Sequence, residues 1–145
     1  MADCGVAYTK ACQEQGVAVS IKHFPGDGID GRDQRLVTSI NSLSCEEWDD
    51  SFGKAYKASI DAGALTVMAG HIAMPEYSRK PRPGFKDEDI MPATLAPELM
   101  NDLLRGQLGF NRMVVTDAST MAGMCIPIPR EQLVPFPIAA RSGLF

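Results

Sequence analysis

The sequence is poor in the residues that mark several protein classes. It has only two histidines and one tryptophan. Its four cysteines, Cys4, Cys12, Cys45 and Cys125, stand far apart and form no CxxC pair. With so few thiols and imidazoles at such spacing, a zinc site is not expected, and no metal or organic cofactor is called for. Unclustered thiols read as reduced cysteines, so a cytoplasmic setting is expected. No apolar run approaches the roughly 18 residues of a membrane helix. The start, Met1-Ala2-Asp3-Cys4-Gly5, lacks the basic-then-apolar pattern of a signal peptide. Basic clusters are missing too, and the formal charge is −4, so neither nucleic acid nor a membrane surface is an expected partner. The chain is 145 residues long, too short for a complete (β/α)₈ barrel, which takes roughly 250. It is long enough for one sizeable core and reads as a single domain over 1–145.

What is present is a helix–strand alternation. Asp3 to Gln15 reads as a helix with Asp3 as cap and Gly16 as stop. Val17-Ala18-Val19-Ser20-Ile21 reads as a buried strand, followed by a Gly-rich loop from Phe24 to Gly31. Ser44-Cys45-Glu46-Glu47 is a capping box, and Trp48, Phe52, Ala55, Tyr56 and Ile60 continue it as an apolar helical face ending at Gly63. Leu65 to Ala69 is a second strand. The stretch from Pro75 to Pro92 contains Lys80-Pro81-Arg82-Pro83-Gly84 and reads as an irregular loop. A third helix begins near Pro97 behind a poor cap, Ala96, and stops at Gly109. Met113 to Thr116 is a third strand; a proline-rich loop then leads into Ile138 to Arg141. The strand centres fall near residues 19, 67 and 115, a uniform step of 48. Equal βα steps imply an α/β fold with parallel strands and right-handed crossovers.

The chemistry-bearing residues cluster at one end of these strands. The first strand runs into Lys22-His23, the second into Gly70-His71, the third into Asp117. In parallel α/β proteins, sites gather at the strands' carboxyl ends. Both histidines of the chain lie at that edge. Each also has a plainer reading: a solvated strand exit for Lys22-His23, a loop hydrogen bond for His71, a turn cap for Asp117. Gly26-Asp27-Gly28 is a weak phosphate-loop signal, because Asp27 puts negative charge where phosphate would lie. Met113, Met121 and Met124 read as core filling.

Four motifs resemble glycoside hydrolase family 3 in its β-N-acetylhexosaminidase-like branch. Ile21-Lys22-His23-Phe24-Pro25-Gly26-Asp27-Gly28 is similar to the family's KHFPG(H/D)G signature, and Val114-Val115-Thr116-Asp117-Ala118-Ser119-Thr120-Met121 to its nucleophile segment. Val67-Met68-Ala69-Gly70-His71-Ile72 resembles the middle-strand motif. Pro92-Ala93-Thr94-Leu95 with Leu104-Arg105-Gly106-Gln107-Leu108-Gly109-Phe110 resembles the PATLS…LR-x-x-LGF stretch. The resemblance implies part of a (β/α)₈ TIM barrel, about strands five to seven, starting in the helix before the fifth strand and stopping just before the eighth. It implies a retaining β-glycosidase acting on a β-linked N-acetylhexosaminide or glucoside. Asp117 would be the nucleophile, Lys22 and His23 the ligands of the sugar hydroxyls, and His71 a pocket-side residue. An acid/base Asp–His dyad in a D-x-H pattern would place its Asp at Asp33 and its His where Arg35 stands. A permanently charged arginine cannot cycle as acid and base; Asp27, Asp30 or Asp33 would have to substitute. The family's earlier strands, which supply an Asp and an Arg to the same subsite, have no counterpart here. Little activity is therefore expected of this segment alone, and its exposed barrel edges invite self-association. Two other readings stand beside this one. The first is a non-catalytic carbohydrate-binding or pseudoenzyme module that needs a partner chain. The second is a nucleotide-binding module.

Overall fold

A computed structural model describes residues 2–144. Three parallel strands form the main sheet: β1 (Ser20–Phe24), β3 (Thr66–Ala69) and β5 (Met113–Thr116), in the order β1-β3-β5. Two two-residue strands, β2 (Ser39–Ile40) and β4 (Ile72–Ala73), pair in parallel as a separate sheet. Ser20 opposes Thr66, and Thr66 opposes Met113, so the uniform 48-residue step becomes an in-line register. The fold is α/β, an open slice of a barrel rather than a closed one. Leu144 bridges Val115 in the parallel sense, so the chain reaches into the next strand position rather than stopping short of it.

The first helix, Ala2–Glu14, packs on Lys54–Asp61. A Cβ on Gly5 would lie 2.9 Å from the Ser59 hydroxyl, so glycine sets this close approach. Asp3 lies inside the helix instead of capping it, because Ala2 is already helical. The capping box forms as the sequence suggests: Ser44 Oγ accepts the Glu47 N–H, and Glu47 accepts the Ser44 N–H. The helix it starts runs through Cys45–Trp48, a wider π turn at Asp49–Gly53, and Lys54–Asp61. Glu98–Gln107 is also wound as a π helix and buries Leu99, Met100, Leu103 and Leu104.

Both of these helices cover one face of the sheet. The register puts Ile21, Val67 and Val114 in one row and Phe24, Ala69 and Thr116 in another on that covered face. Trp48, Tyr56 and Phe24 fill its centre, with Trp48 and Tyr56 stacked at 6.2 Å and Phe24 edge-on to Tyr56 at 5.4 Å. The other face carries Ser20, Thr66 and Met113 and, one row on, Met68 and Val115. Nothing in the described residues covers it fully: Met113 is 53% exposed, so it is not the core filler its type suggested, while Met124 is fully buried.

Three expectations shift. The first strand lies at Ser20–Phe24 instead of 17–21, and Val17 is exposed. The stretch 75–92 is not all irregular: Pro75–Arg79 is a helix with proline at its first position, and Asp87–Asp89 is a 3₁₀ turn. The segment near the C-terminal end is a short helix, Pro135–Ala139.

Candidate functional site

β1 is not regular where it matters. Ile21 opposes Val67 and Phe24 opposes Ala69, so Lys22 and His23 together stand against Met68 alone. This two-against-one bulge re-aims a side chain at the strand's exit. The bonds Lys22–His23 and Phe24–Pro25 are both cis. The loop that follows is fastened from the helix side. The Trp48 indole N–H donates to the Pro25 carbonyl at 2.6 Å, and the Asn41 amide donates to the Gly26 carbonyl at 3.1 Å. Gly26 has φ +135°, and a Cβ there would meet the Phe52 ring at 2.6 Å.

The bulge directs His23 toward β5. Its Nε2 lies 3.5 Å from Asp117 Oδ2, and its Nδ1 lies 3.3 Å from Asp27 Oδ2. Asp117 stands at the exit of β5, with its N–H donating to the Ala69 carbonyl across the sheet and its own Oδ1 accepting the Ala118 N–H at 2.8 Å. Its side chain is 17% exposed, so it is held yet reachable. His23, Asp27, Asp33, Arg35 and Asp117 line one cavity of about 480 Å³. Lys22 is exposed and does not line this cavity.

His71 lies beneath the cavity and is fully buried. Both ring nitrogens are engaged: Nδ1 with the Thr94 hydroxyl and Nε2 with the Ala118 carbonyl, each at 3.1 Å. The carbonyl can only accept, so Nε2 carries the proton and the Thr94 hydroxyl donates to Nδ1. Burial pushes the imidazole pKa down, against a smaller upward pull from the Ala118 bond and Asp117. A neutral ring thus braces the residue next to Asp117.

The loop Asp27–Arg35 carries the remaining charges. Asp30 accepts from the Arg32 side chain and from the N–H groups of Arg32 and Ile40; the Arg32 bond leads in holding its carboxyl far below the usual range. Asp33 accepts the Arg35 N–H and, at 3.1 Å, the Arg35 Nε, which hold it low as well. Both are fixed as anions, so neither is poised to donate a proton. Arg35 is 73% exposed in its side chain and spends only Nε on Asp33.

Sequence reasoning missed several residues that build this site. Gln34, the residue between Asp33 and Arg35, is buried and joins Asp27 on its own loop to the His71 N–H beyond β3. Trp48 was read as apolar helix face, yet its N–H holds the loop. Thr94 lies in the Pro92-Ala93-Thr94-Leu95 motif, which says nothing of its bond to His71. No pattern in one sequence pairs these residues with their distant partners. Among the described residues no cluster of three or more His, Cys, Asp or Glu is placed to hold a metal ion.

Parallel strands with flanking helices, and polar side chains gathered at the strand exits, are the arrangement of a segment of an α/β barrel. Residues 1–140 match the glycosyl hydrolase family 3 N terminal domain, and the chain belongs to that family. It is 57% identical over its whole length to a beta-N-acetylglucosaminidase/beta-glucosidase of Cellulomonas fimi, of which it covers 26%. It is 32% identical over 116 residues to a beta-hexosaminidase of Stenotrophomonas maltophilia, covering 31% of that protein. Among solved structures, a beta-glucoside phosphorylase superposes with a TM-score of 0.93 and 45% identity over 96% of this chain and 25% of its own. A beta-N-acetylglucosaminidase of family 3 from Paenibacillus superposes at 0.86, with 28% identity over 99% of this chain and 26% of its own. The chain thus spans about a quarter to a third of the relatives it matches.

Proposed function

We propose that this segment carries the nucleophile wall of a retaining β-glycosidase site for β-linked N-acetylhexosaminides or glucosides. The observation that carries the reading is the meeting of Asp117 and His23 at 3.5 Å in one cavity at the strand exits. In this reading the Asp117 carboxylate attacks the anomeric carbon, the bond to the leaving oxygen breaks, and a glycosyl ester forms on Asp117. Water then cleaves that ester. His23 holds the sugar hydroxyls, Lys22 stays outside the cavity and takes no part in it, and His71 braces the Ala118 carbonyl from below. Arg35 supplies no proton, and Asp30 and Asp33 stay ionised, so the leaving group departs with little acid assistance. Loss of general acid–base help costs about 10²–10⁴-fold. The open sheet also provides only one wall of a sugar pocket, and turnover by the segment alone is expected to be slow for both reasons.

The test is trapping with a 2-fluoro glycoside bearing an activated leaving group, read by intact mass. One glycosyl adduct per chain, lost in Asp117→Asn, supports the assignment. An adduct that survives Asp117→Asn sinks it, and sugar binding with no adduct points to the non-catalytic module instead.

Arg35 favours a second reading of the deglycosylation step. Arg35 lines the same cavity as Asp117 and engages only its Nε with Asp33, and a structural relative is named a phosphorylase. A phosphate oxygen attacks a glycosyl ester without a general base, giving a glycosyl phosphate and freeing Asp117. Release of sugar phosphate rather than free sugar in inorganic phosphate buffer separates the two.

A further inference from the structure

Gln34 sits where three strand exits meet. It is only 7% exposed. Its Oε1 accepts the His71 N–H at 2.6 Å, and its Nε2 donates to Asp27 Oδ2 at 3.0 Å. That same Asp27 oxygen lies 3.3 Å from His23 Nδ1. The Gln34 carbonyl accepts the Gly123 N–H at 3.0 Å, which ties its backbone to the helix Ala122–Cys125 after β5. The packing is tight on both sides. A Cβ on Gly70 would sit 2.9 Å from Gln34 Oε1, and one on Gly123 would sit 2.7 Å from the Gln34 carbonyl oxygen.

We propose that Gln34 is a positioning residue: its amide N–H fixes Asp27, and through Asp27 it sets the His23 ring against Asp117. The amide is suited to this in a way no carboxylate or apolar side chain is. It accepts at one end, where a backbone N–H needs an acceptor, and donates at the other, where a carboxylate needs a donor. The Asp27 side chain is 42% exposed. Its Oδ1 accepts the Gly28 N–H at 3.1 Å, and Gln34 supplies the donor on Oδ2; without that donor Oδ2 turns toward solvent and leaves His23 Nδ1 without its neighbour. The carboxylates and cations around the pair are Asp27, Asp33, Arg32 and Arg35 on the loop and Asp117 just past β5. This inference rests on the reading of Asp117 and His23 as the reacting side of the site, but its test does not need turnover.

The decisive variant is Gln34→Glu. The new side chain keeps the acceptor for His71 N–H, so the structural half survives. When ionised it cannot donate to Asp27 and repels it; when protonated it donates again. The readout is the imidazole NMR spectrum of the full chain, which has only two rings, assigned by loss of signals in His23→Asn. Expected is a displaced His23 ring signal at about pH 7.5 that returns to the wild-type position, compared at equal pH, as the introduced carboxyl group protonates toward about pH 4.5. The His71 ring signals stay put. His23 signals that coincide with wild type at every pH overturn the proposal. So do equal displacements of both histidines, which report only a general disturbance. Gln34→Met, which removes both bonds, serves as a second variant: it must displace His23 at all pH values. Where 2-fluoro trapping labels the chain, the Gln34→Glu adduct forms about tenfold slower than wild type at the higher pH, with the deficit shrinking at the lower. Absent labelling of the wild type counts against the Asp117 assignment and leaves the NMR test standing.

Discussion

The buried, neutral His71 makes a specific demand on stability. In the folded chain, burial disfavours its charged form and its pKa is lowered. In the unfolded chain the imidazole titrates near 6.5. Above that value neither state binds the proton, and the full stability is present. As pH falls below it, the unfolded state takes up a proton that the folded state refuses, so stability drops with acid until the folded pKa is passed. One proton limits the slope to about 1.4 kcal/mol per pH unit, so across about pH 6.5 to 5.5 the loss is at most about 1 kcal/mol. Carboxylates held low, such as Asp30, Asp33 and Glu47, add losses only below about pH 4, outside this window. The assay is urea unfolding followed by the fluorescence of Trp48, the single tryptophan, which is fully buried. His71→Gln can still donate to the Ala118 carbonyl and accept from Thr94, but it cannot titrate; it is expected to flatten the slope between pH 6.5 and 5.5, while His23→Gln serves as the control. An unchanged slope in His71→Gln refutes the reasoning. So does a His71 ring signal, in the intact protein, that titrates near 6.5.

Other outcomes follow from the loop and its anchors. Trp48→Phe keeps an aromatic ring but leaves the Pro25 carbonyl unpaired; it should cost about 1–3 kcal/mol in a circular-dichroism melt. Gly26→Ala forces a side chain onto a backbone at φ +135° and against Phe52. A loss of about 1–3 kcal/mol from strain alone is expected in urea midpoints, with the His23 ring signal displaced as well. A wild-type midpoint would show that the loop relaxes freely. Ser44→Ala removes one half of the capping box; a loss of about 1 kcal/mol is expected, seen as a Tm lower by roughly 3 °C.

The legible parts of this chain were those written in local patterns. Val67, Ala69, Val114 and the 48-residue step gave the parallel sheet, and Ser44 with Glu47 gave a helix start that formed as expected. β1 slid because its true residues include Lys22 and His23. A bulge turns polar side chains out of a strand that periodicity expects to be apolar, while Val17 and Val19 look like strand and stand outside it. β2 and β4 are two residues each, below what any pattern resolves. The helix at Pro75–Arg79 did carry a signal, proline at the first position and Glu76 in the first turn, which the nearby Pro81-Arg82-Pro83-Gly84 masked. At the site, the residue types at the strand exits were readable. The bonds that make Gln34 and Thr94 matter join positions 37 and 23 residues from His71, and no spacing rule encodes those.

The strand order has a consequence for how this sheet is made. β1 pairs with β3 and β3 with β5, so each main strand lies against the one synthesised just before it. Every addition closes a loop of the same length, and the entropy of closure is therefore nearly equal at each step. A growing chain can lay each strand on an edge already in place, without waiting for a distant partner. Asp117, just past the last of the three, then arrives at a cavity whose His23 side is already built.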